Sequence, residues 1–295
     1  MIRAQYTTLT SVKRQKDIPK DGPYYAPATD DARLQDAIDW ASGFITDETE
    51  RVFVPTLATR SYRSGDVYYG DWEYSDGLLQ LDDDLLEVTA LVNGTGTAIP
   101  GTAFELHPLN TYPKKEIAFI DGQGQSWQFP NRNSNVNVIG FYGYHEDYVN
   151  AWKAAGSLVG TLSSSDDTAI ISDYRYYEVG DYVRLTTSGT QEIALVDAVG
   201  TVGGSLVGTL TLDRALNGTS GIAHGTATAM PRYQHVRQIQ KACNDLAVFY
   251  YDNRDAKEST VEVAELAIRL ENKIPGRIWS AVRWYAKPRF QATNR

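Results

Sequence analysis

The chain has 295 residues, with 28 Lys plus Arg against 37 Asp plus Glu, 42% hydrophobic residues and one Cys. This length is enough to bury a core in one large or two smaller domains, and 11% aromatic residues argue against wholesale disorder. A single Cys excludes an intramolecular disulfide framework and Cys-rich zinc sites. Because no secretory signal pattern and no run of eighteen apolar residues is visible, we expect neither secretion nor a membrane span.

The charge is distributed unevenly along the chain. Residues 1–20 carry five bases and one acid, and residues 273–295 carry six bases and no acid. The remaining residues, 21–272, hold 28 − 11 = 17 bases and 37 − 1 = 36 acids, a net charge of −19. Since nucleic-acid binding relies on Lys and Arg, an acidic body disfavours wrapping around a phosphate backbone. The basic ends are either solvated tails or segments that seek an acidic partner surface.

Two stretches carry apolar residues at helical spacing. Leu34, Ile38 and Ala41 predict a helix from about residue 29 to about residue 53. A second stripe, which includes Val236 and Ile239, predicts a helix that begins near Pro231. The pattern further predicts a helix over residues 258–272 and a short helical segment at IWSAVRWY, followed by a polar tail.

Between these helices lie two stretches rich in β-branched residues. Residues 57–148 contain short runs separated by turns and prolines, which indicates a small, mainly antiparallel sheet. Residues 156–230 contain evenly spaced short runs typical of a small barrel or sandwich. The run Asp82 to Asp84 is interpreted as a polar turn. We therefore predict an α+β fold: a helical core with a small antiparallel sheet plus an inserted small β-barrel module.

The sequence offers no convincing catalytic set. None of the four histidines has a second His or Cys at the spacing of a metal motif. There is no G-x-S-x-G elbow, and Cys243 lies on the apolar stripe of a predicted helix, where core packing is the favoured role. We predict no catalytic residues, no metal site and no cofactor. The histidines are interpreted as surface or hydrogen-bonding residues: His107, His145, His224 and His235.

Two aromatic clusters are candidate contact surfaces. The loop VYYGDWEYSDG is predicted to form an inter-subunit or tail contact, with a simple packed loop as the alternative. Its candidate residues are Tyr68, Tyr69, Trp72 and Tyr74. At the C-terminus, aromatic and basic residues alternate, which is typical of a docking tail, with a helix end packed onto the body as the alternative. The docking candidates are Arg277, Trp279, Arg283, Trp284, Tyr285, Lys287, Arg289 and Phe290.

The order of these segments resembles the head-tail connector (adaptor) proteins of tailed bacteriophages. The resemblance rests on the helix TDDARLQDAIDWASGFITDETERVF, the strands LLQLDDDLLEVTALVNGTGTAIPGTAFELHPLN and VNVIGFYGYHEDY, and the late helix RQIQKACNDLAVFYYDNRD. The family's "G-x-x-G-Y" strand is matched here by Gly140-Phe141-Tyr142-Gly143-Tyr144. The similarity covers roughly residues 29–148 and 232–254, and residues 149–230 depart from the compact family pattern.

This resemblance implies a structural protein without catalytic activity. Family members form a ring, usually of twelve subunits, which attaches beneath the capsid portal and extends the DNA channel toward the tail. The implied partners are therefore other copies of the chain, the portal, and a tail or head-closure protein. DNA would pass without sequence-specific binding, and an acidic channel wall suits such passage. The expected location is the virion neck, after assembly in the host bacterial cytoplasm.

The resemblance also suggests how the chain is divided. Residues 1–28 form an N-terminal arm, residues 29–148 and 231–276 form the adaptor core, residues 149–230 form the inserted module, and residues 277–295 form the docking tail. Two other functions stay open. One is a carbohydrate-binding module of a phage tail or baseplate that uses the loop from Tyr68 to Tyr74. The other is a glycan hydrolase, which ranks last because no acid pair stands out.

Overall fold

A computed structural model describes residues 4–16, 27–68, 77–131, 134–202, 205–254 and 274–287. In these ranges it shows thirteen β-strands in two antiparallel sheets, together with four α-helices. The described residues fall into two compact units. The seven-stranded unit holds residues 54–151 and 217–219, and the six-stranded unit holds the rest, including the helices.

The seven-stranded unit is one antiparallel sheet in the order β1-β7-β3-β6-β5, with two-residue strands β2 and β4 also paired to β3. Side chains on one face alternate into a buried core that includes Leu79, Ile117 and Val138. The strands are β1 (Thr56–Tyr62), β2 (Val67–Tyr68), β3 (Leu78–Val92), β4 (Ala98–Ile99), β5 (Phe104–His107), β6 (Lys114–Phe119) and β7 (Val136–Tyr142).

The central strand β3 is long and irregular, and its register against β7 shifts twice. Near these irregularities, Gly140 of β7 lies directly against the β3 backbone. A Cβ at this position would fall closer than 3.0 Å to the carbonyl oxygen of Glu87. Glycine is therefore required here by the close approach of two backbones, not by a turn.

The acidic run lies inside β3 and not in the turn expected from the sequence. The Tyr62 hydroxyl donates to Asp82 at 2.9 Å, and the Arg60 guanidinium lies 2.7 Å from Asp83. Asp84 is buried and pairs with Lys115. Each carboxylate thus has a polar partner, and these partners lower the free-energy cost of placing three consecutive acids in a partly buried strand.

The six-stranded unit contains the second antiparallel sheet, in the order β8-β13-β10-β11-β12-β9. The long hairpin β10–β11 and the pairing of β11 with β12 form its centre, over a core that includes Val183, Ala194 and Leu210. Its strands are β8 (Trp152–Lys153), β9 (Thr168–Ile171), β10 (Tyr182–Thr187), β11 (Thr190–Thr201), β12 (Gly208–Asp213) and β13 (Arg232–Tyr233).

The helices of this unit are α1 (Leu9–Lys16), α2 (Pro27–Thr49), α3 (Arg237–Arg254) and α4 (Gly276–Trp284). The apolar stripe of α2 is fully buried, and α2 contacts α1, α3 and α4. Trp40 stacks on Tyr250 of α3 with ring centroids 4.6 Å apart, and Phe44 meets Trp279 of α4 edge-on at 5.2 Å. The helix predicted near residue 29 is confirmed as α2. The second predicted helix is present as α3, but it begins at Arg237 and not near Pro231, because Arg232 and Tyr233 pair into the sheet as β13. The helix predicted over residues 258–272 lies outside the described residues.

The predicted fold class is wrong. The described chain is mostly antiparallel β-sheet with four helices, and not an α+β fold built on a helical core. The predicted β-barrel is wrong as well, because the six-stranded sheet stays open between its outermost strands β8 and β9 across the described residues. Side-chain alternation identifies strands, but closure requires strand number, tilt and stagger to agree, and these are set by long-range pairing.

Candidate functional site

The C-terminal helix α4 is firmly attached to the six-stranded unit. Ile278 and Val282 are buried on one face, and Tyr285 meets Phe53 edge-on with ring centroids 6.0 Å apart. The backbone N–H of Lys287 donates to the carbonyl of Thr49 at 2.9 Å. These contacts fix the direction in which the opposite face of α4 points.

That opposite face carries an exposed aromatic residue among basic ones. The side chain of Trp284 is 83% exposed, the largest exposure among the large hydrophobic residues that the structure describes. Arg277 and Arg283 are also exposed, and the Arg283 guanidinium lies 4.8 Å from the Trp279 ring centroid. We call Arg277, Arg283 and Trp284 the α4 surface.

The other predicted docking residues are placed differently. Tyr285 is buried, Trp279 is partly buried against Phe44, and Lys287 is partly buried. Arg289 and Phe290 lie outside the described residues. In the aromatic loop, Tyr68 ends β2 and is 56% exposed. The remaining loop candidates, Tyr69, Trp72 and Tyr74, lie outside the described residues too.

A second candidate surface is the outer face of β9, β12 and β11. Its cross-strand neighbours are uncharged, with Ile170 beside Thr209 and Thr209 beside Gly200. Ile170 is 47% exposed, and the adjoining Val159 and Val202 are 48% and 44% exposed. Asp213 follows Thr211 on the same face of β12, and Asp197 is exposed at the irregularity in β11, so the uncharged region is limited to the cross-strand pairs beyond them. An exposed sheet face usually carries charged or polar residues, so this region, the uncharged face, is a candidate protein-contact surface. Its strand residues are Thr168, Ile170, Ala198, Gly200, Thr209 and Thr211.

The six-stranded unit also contains a polar cavity of about 350 Å³. Its wall is assembled from α1, β8, β13, the loop before β10 and the first turn of α3. Charged groups from four of these elements face it, namely Arg14, Lys153, Glu178, Asp181 and Arg232. The uncharged lining residues are Thr8, Ser11, Tyr233, Gln234, His235 and Gln240.

The carboxylates in the cavity wall each have an arginine partner. Glu178 accepts from the Thr8 hydroxyl at 3.0 Å and from Arg14 at 3.3 Å. Asp181 accepts from the Glu178 backbone N–H at 2.7 Å and from Arg232 at 3.3 Å. Lys153 is exposed and has no ion-pair partner among the described residues.

Asp181 is the group in this cavity whose pKa departs most clearly from its ordinary value. Burial raises the pKa of Asp181 to about 6, although the nearby Arg232 and the hydrogen bond from the Glu178 N–H oppose that rise. Its carboxyl group consequently gains a proton in mildly acidic solution. The cavity then becomes more positive.

A buried ionic network lies elsewhere in the same unit. The Arg214 guanidinium donates two hydrogen bonds to Glu192, at 2.8 and 2.7 Å, and His224 Nε2 lies 3.0 Å from Glu192 Oε2. Burial by itself raises the pKa of Glu192, but hydrogen bonds from Arg214 and His224 outweigh burial and hold the pKa below its ordinary value. This network ties β11 to the chain that follows β12, and its enclosed position favours a structural role.

Cys243 is fully buried in α3, as its place on the apolar stripe predicts. Its Sγ lies 3.4 Å from Ser42 Oγ, and burial raises the pKa of the thiol to about 12. We therefore expect native protein to react with a thiol reagent only as fast as this region opens. The test compares the labelling rate in buffer and in urea; rapid labelling of folded protein at neutral pH would contradict it.

The described residues contain no group of three or more His, Cys, Asp or Glu side chains able to hold a metal ion. Within the same ranges, no helix is long and apolar enough to cross a membrane. No protein-family model, curated protein or solved structure matches the chain. Function must therefore be argued from the surfaces themselves.

The cavity and the uncharged face were not found from the sequence. Arg232 and Lys153 meet in the cavity wall although 79 positions separate them, because β13 pairs with β8. The alternation of Thr with apolar residues in β12 is visible in the sequence, but nothing local reveals that its outer face stays uncovered. Exposed Trp284, together with Arg277 and Arg283, is the part of the α4 surface that the aromatic and basic pattern indicated in advance.

Proposed function

We propose that this protein is a structural virion protein that forms an oligomeric ring between the portal and the tail and continues the DNA channel. The observation that supports this most is the α4 surface. Trp and Arg are among the residues that most often anchor protein interfaces. Because α4 is packed onto the unit through Ile278 and Val282, its backbone does not have to become ordered on binding. The ring of twelve and the portal as partner follow from the family resemblance.

Two further features agree with this proposal. The uncharged face supplies a second surface suited to protein contact, and a connector must contact neighbours on more than one side. The acidic body, residues 21–272, repels DNA and so discourages it from adhering. The C-terminal residues 273–295 are basic and contain no acid, so they can bind an acidic partner surface. DNA thus passes through the ring without a sequence-specific contact.

The proposal predicts that Trp284→Ala weakens binding to isolated portal rings by a factor of about 30 or more, because truncating an interface anchor costs at least about 2 kcal/mol. Surface plasmon resonance with immobilised portal provides the measurement. Val149→Ala is the matched control, since Val149 is 72% exposed and belongs to the seven-stranded unit. Equal affinities for the two variants would reject the α4 surface as the portal contact.

Ring formation is tested separately by native mass spectrometry and negative-stain images of the purified chain, alone and mixed with portal. We expect closed rings in at least the mixture. A chain that stays monomeric in both samples and never binds portal would overturn the proposed function as a whole.

A further inference from the structure

The polar cavity of the six-stranded unit has more positive charge than its own residues neutralise. We propose that this cavity binds the oxyanion group, phosphate or carboxylate, of a small molecule. The inference does not depend on the proposed function, because it rests on residues that belong to neither the α4 surface nor the uncharged face.

The first argument is the strand register. Arg232 of β13 is the direct antiparallel partner of Lys153 of β8, so their side chains leave the same face of the sheet. Like charges in directly opposite positions repel each other. Asp181 offsets part of this repulsion through Arg232, and a bound anion near Lys153 would offset more of it. Both residues line the cavity, and Arg14 of α1 lines it as well.

The second argument is the balance of charge. Two carboxylates face three cations, and each carboxylate is already paired with an arginine: Glu178 with Arg14, and Asp181 with Arg232. Lys153 is left as the surplus cation beside Arg232. The contact with Asp181 uses Nη1 of Arg232 at 3.3 Å, whereas a guanidinium has five N–H donors.

The third argument is size and polarity. A cavity of about 350 Å³ lies at the small end of the range typical of small-molecule sites. It has room for an oxyanion together with a small organic group. The amide side chains of Gln234 and Gln240 and the hydroxyl of Ser11 add neutral polar groups to the lining.

Protonation of Asp181 gives the site a distinctive pH dependence. The groups that act directly on this carboxyl are Arg232 from β13, Glu178 and Tyr177. Lys153 from β8, Arg14 from α1 and His235 are the other titratable groups that line the same cavity. Because its pKa is raised to about 6, Asp181 is charged above that pH and repels an anion. Below it, the carboxyl is neutral and anion affinity rises.

Sulfate is the probe, because it remains a dianion between about pH 5 and about pH 8 and so does not itself titrate over this range. Binding is followed by NMR chemical shifts or calorimetry at constant ionic strength, with chloride replaced by sulfate. We expect saturable binding that Lys153→Met weakens about tenfold. Arg63→Met is the control, because it removes one exposed positive charge from the seven-stranded unit.

Asp181→Asn provides the opposing test. This variant should bind sulfate on the order of tenfold more tightly than the parent chain above about pH 7, and its affinity should lose the rise seen on acidification. Asp121→Asn, at an exposed position in the other unit, should change neither property. Circular dichroism verifies that both variants fold.

A parallel titration with acetate identifies the type of group, since stronger sulfate binding indicates a phosphate-like ligand and stronger acetate binding a carboxylate. Any of three results would overturn the proposal: no saturable binding of either anion, equal effects of Lys153→Met and Arg63→Met, or no gain in affinity for Asp181→Asn. None of these results bears on portal docking.

Discussion

Arg214→Met should lower the free energy of unfolding of the six-stranded unit by about 3–5 kcal/mol. The Arg214 side chain is 8% exposed and Glu192 is completely buried, so the substitution leaves a carboxylate in the interior without its principal counter-charge. Arg214 also donates to the carbonyl groups of Ser163, Asp166 and Ile222. These carbonyl groups belong to exposed or half-buried residues, so most of the expected loss comes from the buried Glu192 carboxylate that is left without its arginine.

The effect is measured by urea unfolding, with an unchanged m-value as the sign that the denatured state is the same. Arg175→Met is the control, because the Arg175 guanidinium also donates two hydrogen bonds to a carboxylate, that of Asp173, but the Arg175 side chain is 58% exposed. A solvent-exposed pair contributes at most about 1 kcal/mol. If Arg214→Met and Arg175→Met lower the free energy of unfolding by the same amount, burial does not strengthen the contribution of the Glu192 network to stability.

The pH dependence of its stability provides a second test of Arg214→Met. Without Arg214, the buried Glu192 gains a pKa above its unfolded value of about 4.3. A carboxyl group with a raised folded pKa favours folding at low pH, and this contribution disappears as pH rises through that pKa. The loss in free energy of unfolding caused by Arg214→Met should therefore be smaller near pH 5 than near pH 8. The double variant Glu192→Gln with Arg214→Met should recover part of it, because no buried charge remains.

Gly140→Ala should destabilise the seven-stranded unit by roughly 1–3 kcal/mol or more. The new Cβ would meet the carbonyl oxygen of Glu87 at less than 3.0 Å, and it would also approach the Leu85 side chain. Backbone of the central strand β3 must then shift, which disturbs the pairing of β3 with β7. Thermal unfolding and amide exchange in β3 and β7 measure the change.

Gly43→Ala is the matched substitution with the opposite expected sign. Gly43 lies within α2, and a Cβ there would have no neighbour within 4 Å. Alanine in a helix interior is favoured over glycine by about 0.5–1 kcal/mol. We expect a modest gain in thermal stability, and a loss at Gly43 as large as at Gly140 would contradict the steric explanation for both glycines.

The resemblance to connector proteins depended in part on the Gly140 strand, and the structure gives this glycine a steric reason. That reason concerns packing within one sheet and carries no information about portal binding. The functional proposal therefore depends on the α4 surface and its binding experiment, whereas the anion site depends on the cavity and its sulfate titration. The two experiments use different residues and can fail independently.

The sequence by itself determined those features that depend on near neighbours. Apolar spacing at Leu34, Ile38 and Ala41 located α2, and the stripe through Cys243 located α3 together with the burial of that thiol. Charge counting separated an acidic body from basic ends. A helical period or a β-alternation is repeated within a few residues, so these predictions need no knowledge of the rest of the fold.

Tertiary structure alone decided how the strands pair and what the pairing brings together. The sequence indicated a helical core and a closed barrel, whereas two open antiparallel sheets organise the described chain. Pairing of β13 with β8 placed Arg232 beside Lys153, and the path after β12 brought Arg214 to Glu192. Strand order and register arise from contacts between residues far apart in the chain, whose free energies depend on the whole packed sheet rather than on any local pattern.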